Sequence, residues 1–146
     1  MDNNIEFRTF KKGDYEACCE WWRWWWKRSG QNPIARAFLP KDERCFVIEK
    51  NGVPIACYFL FIMEPHIVGW TTYLVSNPEY NEKDRRKIIK TLITKVEKEA
   101  EKIGIMQLFT VCGNDTMSGI HESLDWMLIP VQNEAFKYLT NNFIKK

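Results

Sequence analysis

A nine-residue apolar run, a turn that contains proline, and a long amphipathic stretch follow one another from Val68 to Ile103, and that order leaves few folds open. Val68-Gly69-Trp70-Thr71-Thr72-Tyr73-Leu74-Val75-Ser76 is rich in β-branched and aromatic residues and reads as a buried strand. Asn77-Pro78-Glu79-Tyr80 must leave the sheet, because Pro78 has no N–H to give to a ladder. Apolar residues then recur at Ile88, Ile89, Leu92, Ile93, Val96, Ala100 and Ile103, which is one face of a helix. Asp84 is placed to cap the start of that helix and Gly104 its end. Ile105–Val111 reads as the next strand. In such a strand–loop–helix–strand unit, the loop before the helix N-terminus is a natural anion site.

The flanking segments complete a sheet. Ile5–Phe10 reads as a short strand, and Lys11-Lys12-Gly13-Asp14 as the turn into a helix running from about Tyr15 to Lys27. Its core face should hold Ala17, Cys18, Trp21, Trp22 and Trp25, leaving Trp24 and Trp26 outside. Residues 30–44 carry Pro33 and Pro40 and form an irregular segment with a short helix at Ile34–Phe38. Cys45–Glu49 and Pro54–Met63 are strands joined by Lys50-Asn51-Gly52, a strong hairpin signal. Glu64-Pro65-His66 turns the second of them into the strand at Val68. Beyond Cys112-Gly113-Asn114 come a weak helical pattern over Asp115–Leu124 and a last strand at Glu134–Leu139. The result is an α+β fold: a mixed, mostly antiparallel twisted sheet with helices on both faces, in one domain over residues 1–146.

Composition narrows the function classes. A net charge of +2 gives no strong electrostatic case for nucleic acid. No apolar run reaches the roughly 20 residues of a membrane span, and the N-terminus lacks the basic start and apolar core of a signal peptide. The five cysteines include no Cys-x-x-Cys and read as reduced core thiols of a cytoplasmic protein. His66 and His121 have no ligand-spaced partners, so no metal site is expected. Tryptophan is the outlier, with five of seven packed into Trp21, Trp22, Trp24, Trp25 and Trp26.

This element order resembles the GNAT superfamily of acyl-CoA-dependent N-acyltransferases over nearly the whole chain. In that family a strand and loop of the form Leu-x-Val-x-Pro-x-Tyr lead into Arg/Gln-x-x-Gly-x-Gly/Ala. Leu74-Val75-Ser76-Asn77-Pro78-Glu79-Tyr80 matches the first part, with Ser76 in place of Val. In the second part Asn81, Asp84 and Arg86 stand where Arg/Gln, Gly and Gly/Ala are expected. The family's glycines admit the CoA pyrophosphate to the backbone. A carboxylate at Asp84 repels phosphate and can cap the helix itself. Arg85, Arg86 and Lys87, with Lys83 beside them, can instead hold phosphate by side chains, or simply form a solvated basic helix start.

The resemblance implies a second set of residues. An Asn after the fifth strand, followed seven residues later by a Tyr acid and then Gly-Phe, falls here on Asn114, His121 and Asp125-Trp126. His121 then becomes the acid that protonates the leaving thiolate, and the plain alternative is a surface histidine. Glu64 and Glu49 are the carboxylates available as general base, with no motif behind either. The implied activity is acyl transfer, acetyl in the first instance, from acetyl-CoA to an amine of a small molecule or protein. Leu74, Val75, Ser76, Arg85, Arg86, Lys87 and Asn114 would bind the acyl-CoA where two strands splay after Val75. Trp22, Trp24, Trp25, Trp26 and Trp70 would line an acceptor pocket or a partner surface, self-association as a homodimer included. The competing reading keeps the fold without catalysis and gives the aromatic and basic surface to a protein or nucleic-acid partner.

Overall fold

The structure, a computed structural model, describes residues 4–129. The chain forms two compact units, residues 1–111 and 112–146. The first holds a five-stranded sheet in the order β1-β2-β3-β4-β5, built from β1 Ile5–Thr9, β2 Cys45–Lys50, β3 Val53–Met63, β4 Val68–Ser76 and β5 Gln107–Phe109. The first three pairings are antiparallel and β4–β5 is parallel. Asn51 and Gly52 both take positive φ, 51° and 80°, which suits the right-handed twist of the two strands they join. The expected strand at Glu134–Leu139 lies outside the described residues.

Two helices cover the sheet. Helix α1, Asp14–Trp25, packs Cys18, Trp21 and Trp22 against Cys45, Val47, Cys57, Phe59 and Val75. These strand positions alternate, so Ile48, Ala56, Tyr58 and Leu60 point to the opposite face. There lies α2, Arg85–Lys102, which buries Ile88, Ile89, Leu92, Ile93, Val96 and Ala100, the stripe read from the sequence. Each fully buried side chain of this kind stabilises the fold by roughly 1.5–3 kcal/mol before entropy is counted. Ile103 falls just past the last turn and is exposed, unlike the rest of its stripe. In the segment between α1 and β2, the expected helix at Ile34–Phe38 is a 3₁₀ turn, Arg36–Phe38, with a second at Asp42–Arg44.

A buried charge cluster ties the start of α1 to the sheet edge. Arg8 of β1 donates to both oxygens of Asp14, at 2.7 and 3.2 Å, and to Glu49 of β2 at 3.0 Å. The Asp14 hydrogen bond, with Glu49 behind it, raises the pKa of Arg8 against the cost of burial. In the second unit, α3 covers Asp115–Glu122.

Candidate functional site

The site is set by an interruption in the sheet. Along β4 the parallel ladder to β5 pairs Val68 with Gln107, Gly69 with Leu108 and Trp70 with Phe109, and then stops. The strands therefore part after Trp70, five residues earlier than the splay expected after Val75. Beyond that point, among the described residues, β4 is paired to β3 alone. Its register slips by one residue between Thr72 and Val75, a bulge in which Tyr73 takes a φ of 59°. Gly69 allows the close approach that precedes the fork, since a Cβ there would meet Leu108 at 2.9 Å and Leu60 at 3.2 Å.

The far end of β4 is where α1, β4 and α2 converge. The N–H of Asn77 donates to Ile55 O of β3 at 2.7 Å. The carbonyl of Ser76 belongs to the same peptide unit and points the other way, along the open edge of β4. Trp25 Nε1–H occupies it at 2.7 Å. Arg85, the first residue of α2, donates to Ser76 Oγ at 2.5 Å and lies over the Trp25 ring, 5.0 Å from its centre. Burial pulls the pKa of Arg85 down from its ordinary value. Ser76 and Arg85, named from the motif, are thus brought together, and Val75 beside them is buried in the core with Trp22.

Asp84 stands at the N-cap position of α2, as expected, but its side chain makes no capping bond. Its carboxylate accepts from Lys50 Nζ at 2.6 Å and from Tyr80 Oη at 2.5 Å, and no side-chain bond closes the helix start. The expected competition between Asp84 and an anion for the helix donors is therefore absent. The Lys50 hydrogen bond above all, then that of Tyr80, holds the Asp84 carboxyl below its ordinary range. Arg86 and Lys87 are exposed, and Lys87 faces outward beside Lys90 and Lys98.

The tryptophans sort differently from the helical reading. Trp22, placed on an acceptor or partner surface, is 1% exposed and lies in the core. Its Nε1–H has no partner. Trp26, expected outside, stacks on Trp22 with centroids 5.9 Å apart and packs against the core. Trp25, expected inside, is 42% exposed, and Trp24 is 45% exposed with Lys27 Nζ 4.2 Å from its ring centre. Trp70 is partly exposed on β4, in register with Phe61 and Phe109.

Within the first unit, Glu64 and Glu49 have partners of their own. Glu64 is exposed at the β3–β4 turn, paired with His66. Eight residues of strand separate Val68 from Ser76, roughly 26 Å at about 3.3 Å each. Glu49 is committed to Arg8. In the second unit Asn114 caps α3, its side-chain oxygen accepting from Met117 N at 2.9 Å. His121 is 1% exposed rather than on the surface. Its Nδ1–H donates to Met117 O at 2.8 Å, and the ring meets Trp126 edge-on. All five cysteines are free, four of them buried. Burial pushes the Cys45 thiol up to about 12. Among the described residues no cluster of His, Cys, Asp or Glu could hold a metal ion, and no helix is long and apolar enough to cross a membrane.

Sequence reasoning missed two features of the site. The Trp25–Ser76 bond joins residues 51 positions apart, and only the fold brings them together. The bulge at Tyr73 carries no glycine to announce its positive φ.

Residues 10–126 match the model of the acetyltransferase (GNAT) family. No curated protein matches the chain. Among solved structures it is similar to N-acetylglutamate synthase from Neisseria gonorrhoeae complexed with coenzyme A and N-acetyl-glutamate, at 18% identity and a TM-score of 0.66. That match covers 84% of this chain and 28% of the synthase, so this chain spans little more than a quarter of that protein's length. It is also similar to an acetyltransferase of Trypanosoma brucei, at 16% identity and a TM-score of 0.64, over 92% of this chain and 100% of that one. A third is yncA of Salmonella typhimurium with its cofactor acetyl-CoA, at 16% identity and 0.62, over 88% and 82%. At these identities the structural likenesses establish the fold.

Proposed function

The chain belongs to the GNAT acetyltransferase family, and from that premise we propose that it transfers an acyl group, acetyl first, from acyl-CoA to an amine of a small molecule or protein. The observation that carries this reading is the open edge of β4. Past Trp70 the strand offers backbone groups that no strand among the described residues takes up, and the edge ends at Ser76 beside the Arg85 cation. An extended ligand with amides can add to such an edge as a further strand would, while an anionic end meets Arg85. The solved relatives with coenzyme A or acetyl-CoA support the same ligand.

In the reaction the acceptor nitrogen attacks the thioester carbonyl, the C–S bond breaks, and an amide forms. The amine gives up one proton, and the departing thiolate takes one. Backbone N–H groups near Leu74–Ser76 polarise the carbonyl as negative charge develops on its oxygen. Phosphate is held by side chains, Arg85 first with Arg86 and Lys87, in place of a glycine cradle. A second reading has an observation of its own: the exposed Trp24 with Lys27 suits a partner surface on a fold that does no chemistry.

The test is thiol release from acetyl-CoA across a panel of small-molecule and peptide amines. The expected result is release that depends on the amine, with the acylated amine found by mass. Release no faster than in buffer with every amine, from acetyl-CoA and longer acyl-CoAs alike, would overturn the transferase reading.

A further inference from the structure

Tyr58 sits at the middle of β3 and is 2% exposed. Its hydroxyl donates to Thr71 Oγ1 at 2.9 Å and lies 3.0 Å from Thr110 Oγ1. Thr71 Oγ1 in turn donates to Phe109 O at 3.4 Å. Each hydroxyl has a single proton, so the direction is fixed: Thr110 to Tyr58, Tyr58 to Thr71, Thr71 to the Phe109 carbonyl. Thr71 and Thr110 are the residues that directly follow the last ladder pair, Trp70 with Phe109. Had the parallel ladder continued, they would be the next partners. Three hydroxyls, from β3, β4 and the residue after β5, stand where backbone pairing ends.

This chain of hydroxyls does not conduct a proton, because it terminates on a backbone carbonyl, which has no basicity near neutral pH. What it can do is geometric. A parallel pair whose ladder stopped with nothing beyond it would fray or re-pair by a residue. Either change would shift the free edge of β4 relative to β5. A buried hydroxyl that loses its partner is also left unsatisfied, so the arrangement resists partial opening.

We propose that Tyr58 is a positioning residue, acting through Thr71 and Thr110 to pin the point at which β4 and β5 part. The proposal rests on the acyl-transfer reading for its consequence, since the pinned edge is the one that holds the thioester carbonyl. Removing the pin leaves the far end of the cleft, Ser76 and Arg85, intact. It therefore spares acyl-CoA affinity and loosens the reacting geometry, where a displacement of about 1 Å costs on the order of a hundredfold in rate.

The experiment compares Tyr58→Phe, Thr71→Val and Thr71→Ser with the parent chain, by steady-state transfer from acetyl-CoA and by amide hydrogen exchange. Tyr58→Phe and Thr71→Val should lower kcat about tenfold with KM for acetyl-CoA within about twofold, whereas Thr71→Ser, which keeps the hydroxyl, should retain most of the rate. Exchange should quicken at Val68–Trp70 and Gln107–Phe109 in Tyr58→Phe and stay unchanged across β2–β3. Unaltered exchange at the fork in Tyr58→Phe would overturn the pin, and so would equal losses in Thr71→Ser and Thr71→Val. If the parent chain transfers no acyl group, the transferase reading fails by itself, and the exchange result still decides whether the fork is pinned.

Discussion

Trp25 and Trp26 are neighbours in sequence and have different surroundings. At 100° per residue, the arc centred on the buried Cys18, Cys19, Trp21 and Trp22 leaves each of them roughly 50° from its midpoint, on opposite sides. Helical geometry alone therefore does not choose between them. Trp26 gains a stacked ring, Trp22, and Trp25 gains an acceptor for its N–H, Ser76 O. Trp22 would cost about 3–5 kcal/mol to truncate to Ala, and its unpartnered N–H means that Phe there should cost far less. His121 poses the functional question at this scale. Its buried ring has Nδ1–H committed to Met117 O, so a proton given to the thiolate would have to leave from Nε2. If it protonates the leaving thiolate, His121→Ala should lower kcat about 10²- to 10⁴-fold and leave acyl-CoA affinity within a few-fold. Thiol release and ligand titration on the same preparation check both halves. Unchanged turnover would remove His121 from the mechanism.

The turn from β4 to α2 is braced as an element. Lys50 at the end of β2, Tyr80 in the turn and Asp84 before the helix share two hydrogen bonds on one carboxylate. Bonding to Asp84 raises the pKa of both Lys50 and Tyr80, and the same bonds lower that of Asp84. The signs define a window. The Asp84 contribution is present above the carboxyl's unfolded value near 4 and fades as pH falls through its lower folded value. The Lys50 and Tyr80 contributions are present below unfolded values near 10 and fade as pH rises through their folded ones. Tyrosinate absorbance should therefore place Tyr80 and Tyr15 above the ordinary tyrosine range, the latter pushed up to about 12 mainly by burial. Asp84→Asn should bring Tyr80 back toward 10 and leave Tyr15 in place. A Tyr80 titration that does not move would show that this brace is not formed in solution. The turn also shows how far sequence carries. The α2 stripe is legible because six buried positions obey one period, and the β2–β3 hairpin because Asn51-Gly52 suits one turn type. The destination of the Asp84 carboxylate is not legible, since an acid before a helix reads as a cap until the fold brings Lys50 to it from 34 residues away.

For the molecule as a whole, the β4 edge joins α1 to α2, because Trp25 donates to the Ser76 carbonyl at its end, an acceptor that the proposed ligand would also use. Ligand and indole then compete for one acceptor. Acetyl-CoA at 100 times its Kd would stabilise the fold by about 2.7 kcal/mol, a rise in Tm of roughly 5–10 °C for a domain of this size. Trp25→Phe keeps a ring beneath Arg85 and removes the N–H, worth roughly 0.5–1.5 kcal/mol, so acetyl-CoA should bind the variant about 2- to 10-fold more tightly. Scanning both proteins with and without acetyl-CoA, with tryptophan emission followed in parallel, separates the cases. A larger shift in the variant, with emission responding to ligand only in the parent, is the expected outcome. A smaller shift would make Trp25 a ligand contact rather than a competitor. No shift in either protein at millimolar acetyl-CoA would mean that the edge is sealed by its own tryptophan, and the exposed Trp24 and Lys27 would then be the surface to test for a partner.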